Sequence, residues 1–119
     1  MRLLIVEDDT ILLEVICRKL ISLEHDVIRA TDGREAMKMF VLYKPDLVVT
    51  DIMLPTKSGM ELLSFIRERL DRDTPVIILS SIDRKDQIKD AYELGASDYI
   101  TKPFILEELI SKIESYDKD

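Results

Sequence analysis

The chain has 119 residues, a formal net charge of −7 and a hydrophobic fraction of 46%. That length fits one globular domain with an ordinary core, and the acidic balance argues against direct nucleic-acid binding, which needs a basic face. A single cysteine, Cys17, excludes an intrachain disulfide and a thiolate zinc cluster.

Residues 3–6, LLIV, predict a first strand that runs into Glu7, Asp8 and Asp9. The run is too short for a signal peptide or a membrane span, so a cytoplasmic protein without a membrane partner is expected. Asp9 suits the N-terminus of a first helix that buries Leu12, Leu13, Ile16 and Leu20, with Cys17 as a small buried hydrophobe. His25, in the connection LEHDV, is expected at the solvent. A weaker strand, DVIRA (26–30), ends at Ala30-Thr31 without comparable chemistry.

Asp32 is placed to cap a second helix that turns Ala36, Met37, Phe40 and Val41 inward, and Met37 and Met39 read as packing residues. Strand three, DLVV (46–49), leads to Asp51. Ser58 and Glu61 have capping-box spacing ahead of Leu62, Phe65 and Ile66. Strand four, PVIIL (75–79), leads to Ser80 and Ser81. A fourth helix carries Ile88, Ala91 and Tyr92 and closes at Gly95, where a left-handed residue is wanted. Strand five, YI (99–100), leads to Lys102-Pro103, and a fifth helix buries Leu106, Leu109, Ile110 and Ile113.

The strand runs are continuous rather than alternating, as in a parallel sheet covered on both faces. Five strands alternating with five helices therefore predict an α/β fold, a doubly wound five-stranded parallel sheet. In such sheets ligands bind at the carboxyl ends of the strands, where the strand order reverses. For the order 2-1-3-4-5 that point lies between strands one and three, which deliver Glu7, Asp8 and Asp51. A carboxylate at the end of a buried strand must be paired, coordinated or used, and three together share a proton or hold a cation. All the ligands are hard oxygens, so Mg2+ is the expected cofactor. Lys102 adds a point charge and Ser80 a hydroxyl, both suited to a tetrahedral anion. An Asp, a divalent cation, a lysine and a hydroxyl describe phosphoryl transfer onto a carboxylate, with Asp51 the nucleophile.

The motifs IVEDD, DLVVTDIMLPTKSG, PVIILSS and GASDYITKPF, in this order and spacing, resemble the receiver domain of two-component response regulators over essentially the whole chain. The resemblance implies a flavodoxin-like (βα)5 fold with strand order 2-1-3-4-5, as a single domain over 1–119. It implies that Asp51 accepts a phosphoryl group from a sensor histidine kinase or phosphotransfer protein. Asp8 would bind Mg2+ directly, Glu7 mainly through water, and the Met53 carbonyl would complete the protein ligands. Ser80 would bond the phosphoryl oxygen and move toward it, Lys102 would pair with the phosphoryl group, and Tyr99 stands at the aromatic switch position. The Lys102-Pro103 bond is expected to be cis, and Ser81 departs from the usual alanine. The surface of the fourth helix, fifth strand and fifth helix would control an output domain or partner protein.

Relatives with winged-helix output domains commonly carry two arginines on the fifth helix, where this chain has Lys112 and Glu114. Lys112 is expected to meet an acid such as Asp98 across an interface, and Glu114 to face Glu93, Glu107 and Glu108. Three rival readings share parts of the pattern. A haloacid-dehalogenase-type phosphatase wants a second Asp where Met53 stands, and an FMN carrier wants a Ser/Thr/Gly-rich loop where EDDT stands. A docking module that is never phosphorylated usually loses an acidic or lysine position, and here all are kept. The chain closes at SYDKD, as a stand-alone regulator or the receiver piece of a longer protein.

Overall fold

The computed structural model describes residues 1–68 and 73–117; residues 69–72 and 118–119, inside the expected domain of 1–119, lie outside the described residues. In chain order the elements are β1 (Arg2–Val6), α1 (Thr10–Ser22), β2 (Asp26–Ala30), α2 (Gly33–Tyr43), β3 (Leu47–Asp51), α3 (Gly59–Arg67), β4 (Val76–Ser80), α4 (Lys85–Glu93), β5 (Asp98–Thr101) and α5 (Leu106–Glu114). The five strands form one sheet in the order β2-β1-β3-β4-β5, with every neighbouring pair parallel. Fold class, element order and strand order are as the sequence predicts.

Alternation along each strand sends side chains to opposite faces, and both faces are apolar here. Leu3, Ile5, Leu47, Val49, Ile77 and Leu79 pack with α1 and α5 on one side. Leu4, Val6, Val48, Val76 and Ile78 pack with α2, α3 and α4 on the other. Burying both faces is why the inner strands read as unbroken apolar runs.

The caps fall where the residue types place them. Asp9 accepts from the amides of Ile11 and Leu12, Asp32 from that of Glu35, and Ser58 and Glu61 form a reciprocal capping box. Gly95 follows α4 with φ of +113°, a backbone that favours glycine. Two helical faces differ from expectation. Val41 and Tyr92 are exposed, because α2 and α4 bury only narrow stripes, Ala36 with Phe40 and Ala91 respectively. His25 also differs, since it is buried rather than solvated. Its ring packs between the amino end of the sheet and the last turn of α5. There Nε2 lies 2.9 Å from Glu114 and Nδ1 lies 3.0 Å from the Met1 amino group.

Candidate functional site

Parallel strands end at one edge, so the residues that follow them converge without any long-range search. Registry makes the convergence tight: Val6 pairs with Thr50, Asp51 with Leu79, and Ser80 with Thr101. The Glu7 amide donates to the Ala30 carbonyl at 3.1 Å and the Lys102 amide to the Ser80 carbonyl at 2.8 Å, extending the ladders past the strand ends. The Lys102-Pro103 peptide is cis, as expected.

Lys102 Nζ lies 2.5 Å from Asp51 Oδ2 and 2.6 Å from Glu7 Oε1, bridging the ends of β1 and β3. The Glu7 side chain is 1% exposed and that of Asp51 9%, so both carboxylates have lost most of their hydration. Asp8 is exposed, yet its carboxylate shares one locus with the other two: an oxygen from each of Glu7, Asp8 and Asp51 lies within 4.8 Å of the rest. Among the described residues, one cation, Lys102, thus serves two carboxylates at a locus that holds three.

The proton affinities follow from this crowding. Burial pushes the Glu7 carboxyl up, the Lys102 hydrogen bond pulls it back, and the Asp51 charge raises it again, for a net upward shift. Burial pulls Lys102 down, but its hydrogen bonds to Asp51 and Glu7 outweigh that and leave its pKa raised. The ammonium form is therefore firmly held. The donor set is all carboxylate oxygen, two of three ligands are buried, and the charge is in excess; these residues fit a hard divalent cation such as Mg2+.

Ser80 and Tyr99 meet through one residue, Ile82. The Ser80 side chain is buried and its Oγ accepts from the Ile82 amide at 3.0 Å, while the Tyr99 hydroxyl donates to the Ile82 carbonyl at 2.7 Å. Ile82 thus joins the edge of the acidic site to the aromatic ring on β5. Ser81 is exposed beside it.

Several contributors escaped the sequence reading because backbone atoms carry them. The Met53 amide donates to Asp51 Oδ1 at 3.0 Å, so Met53 touches the carboxylate through its N–H. The loop after β3 is braced against α2: Gly33 N–H donates to the Pro55 carbonyl at 3.1 Å, Arg34 N–H to Thr56 Oγ1 at 3.0 Å, and Thr56 Oγ1–H to Asp32 Oδ1 at 3.0 Å. A Cβ on Gly59 would lie 2.0 Å from the Asp51 carbonyl oxygen, and one on Gly33 would lie 1.9 Å from that of Lys57. The available signal was the pairing of each glycine with a cap, Asp32-Gly33 and Ser58-Gly59.

On α5, Lys112 Nζ meets Asp98 Oδ1 at 3.4 Å within the chain, and Glu114 pairs with the buried His25 at 2.9 Å.

Comparison with known proteins agrees with this arrangement. The family model of the response regulator receiver domain matches residues 3–114. Response regulator MprA of Mycolicibacterium vanbaalenii is 36% identical over 114 residues, covering 96% of this chain and 49% of that protein. The transcriptional regulatory protein DltR of Streptococcus agalactiae is 39% identical over 113 residues, covering 95% and 50%. The chain thus spans about half the length of these curated relatives. Among solved structures, a Francisella response regulator receiver domain superposes with a TM-score of 0.91 at 33% identity, covering 97% of this chain and 94% of that one. The BeF3-activated N-terminal receiver domain of Klebsiella pneumoniae RstA gives 0.91 at 32% identity, with 100% of each chain covered. No helix among the described residues is long and apolar enough to cross a membrane.

Proposed function

This chain belongs to the response regulator receiver family of two-component systems, and from that premise we propose that it is a single receiver domain over 1–119 that accepts a phosphoryl group on Asp51. The observation that carries the reading is Lys102 bridging Asp51 and Glu7 beside Asp8, one fixed cation against three carboxylates. The donor is a phosphohistidine on a sensor kinase or phosphotransfer protein. An Asp51 oxygen forms the new P–O bond as the donor's P–N bond breaks, and the departing imidazole takes up a proton.

Asp8 and Asp51, with Glu7 through water and the Met53 carbonyl, would hold Mg2+. Bound there, the ion supplies charge neutralisation for the transferring phosphoryl oxygens. Lys102 already points its ammonium at the acceptor oxygen and is held protonated by both carboxylates, so it is ready to pair with the incoming charge. The Met53 N–H fixes the other Asp51 oxygen, which leaves the carboxylate little rotation to lose. The only reaction the domain catalyses is its own phosphorylation and dephosphorylation.

Ser80 and Tyr99 form the switch. When Ser80 Oγ turns to the phosphoryl oxygen, the Ile82 amide loses its acceptor, which loosens the residue whose carbonyl holds the Tyr99 hydroxyl. The change spreads over α4, β5 and α5 to an output domain or partner protein. Beryllofluoride binding followed by NMR tests the reading: it is expected to need Mg2+, to shift Ile82 and Tyr99, and to vanish in Asp51→Asn. Binding that survives Asp51→Asn or ignores Mg2+ would overturn it.

A further inference from the structure

The outer face of α2 is not used by the site or by the switch. Met37, Val41 and Leu42 on α2 and Phe65 on α3 line an apolar groove of about 570 Å3 whose rim carries Arg34 and Lys38. Val41 is 52% and Leu42 67% exposed, a large apolar exposure for neighbouring residues on one helix. Arg34 and Lys38 stand one helical turn apart on that helix, and neither has an ion-pair partner among the described residues. The protein as a whole is acidic, at −7, so a basic edge beside an apolar trough runs against its average, although the Arg34 charge also acts on nearby Asp32.

We propose that this groove docks an acidic amphipathic helix of a partner protein. A channel between two helices accepts a third by its apolar stripe, read at i, i+3, i+4 and i+7. Carboxylates on the flank of that helix meet Arg34 and Lys38, which select an acidic partner over a basic one. The groove runs beside α2, 11 residues long, a length that matches about three turns of a bound helix. A second copy of this chain is a poorer occupant. The groove's complement would be a different, acidic surface of that copy, and such a head-to-tail contact does not close into a symmetric dimer.

The binding is independent of Asp51 and of any phosphodonor, so its test separates from that of the proposed function. The probe is a labelled synthetic helix of about 15 residues, long enough to form four turns, with leucines on one face and glutamates on the other, and a second with lysines replacing the glutamates. Fluorescence anisotropy on the full chain is expected to favour the acidic peptide by about tenfold, with affinity falling as salt rises. Methyl shifts should centre on Met37, Val41 and Leu42. Leu42→Asp should weaken binding about tenfold, and Arg34→Glu with Lys38→Glu should reverse the preference to the basic peptide. These side chains are exposed, and circular dichroism checks that each variant folds. No binding, shifts centred elsewhere, an unreversed preference, or self-association through this face by sedimentation would each overturn the proposal.

Discussion

At the carboxyl end of the sheet one lysine, Lys102, bridges the buried Glu7 and Asp51 beside Asp8; at the amino end the contacts among the described residues are pairwise. Arg2 donates to Asp26 at 2.9 Å, its amide donates to Asp46 at 2.7 Å, and the buried His25 pairs with Glu114 at 2.9 Å. Both ends are built on the same five strands, so the difference lies in residue choice and not in topology. A buried polar group with a partner is ordinary structure, while buried charge in surplus costs stability unless something outside the chain neutralises it. The surplus end is the one that holds the proposed phosphoryl site.

Four substitutions sharpen or break that contrast. The largest effect is expected from Lys102→Met, which strands two buried carboxylates. Urea unfolding without metal should show a loss of about 3 kcal/mol, reduced because the lysine is partly solvated. Added Mg2+ should restore part of it, and an unchanged midpoint would show that the bridge does not hold the site together. His25→Ala removes the buried half of a matched pair and should cost about 2 kcal/mol, with or without Mg2+. A loss that Mg2+ repaired would erase the distinction between the two ends.

Asp51→Asn acts in the opposite direction. Removing one carboxylate from the surplus should raise metal-free stability by about 1 kcal/mol, and a clear loss in thermal melts would contradict the crowding. The smallest effect belongs to Tyr116, whose hydroxyl donates to Asp98. Burial, then the Asp98 hydrogen bond and charge, push its pKa up from 10.0 to about 12. The folded state keeps this proton more tightly than the unfolded chain does. Its contribution is therefore complete below pH 10 and fades as the pH climbs to about 12. Tyr116→Phe should cost about 0.5 kcal/mol at neutral pH and flatten the alkaline decline. An identical decline in the variant would remove Tyr116 from the account.

The sequence made the fold and the strand-end chemistry legible for one reason: both are local. Unbroken apolar runs mark strands buried on two faces, and a parallel sheet then delivers whatever follows each run to a common edge, as with Glu7, Asp51, Ser80 and Lys102. Hydrogen bonds set by the local path of the loops were out of reach, which is why the Met53 amide and both backbone contacts of Ile82 went unseen. So was the fate of His25, whose partner Glu114 lies 89 residues away and is set by where α5 ends. Val41 and Tyr92 were misplaced because helical spacing gives a stripe's direction and not its width.

The central claim is that Asp51 is the phosphoryl acceptor of this receiver and that the acidic cluster supplies its Mg2+ site. Intact-mass analysis after incubation with acetyl phosphate tests it most directly, with peptide mapping of the product. The account predicts one phosphoryl group per chain, on Asp51, formed with Mg2+ and not with a chelator, sharply reduced in Asp8→Asn and absent in Asp51→Asn. A phosphoryl group at another residue, or equal labelling without Mg2+, would contradict it.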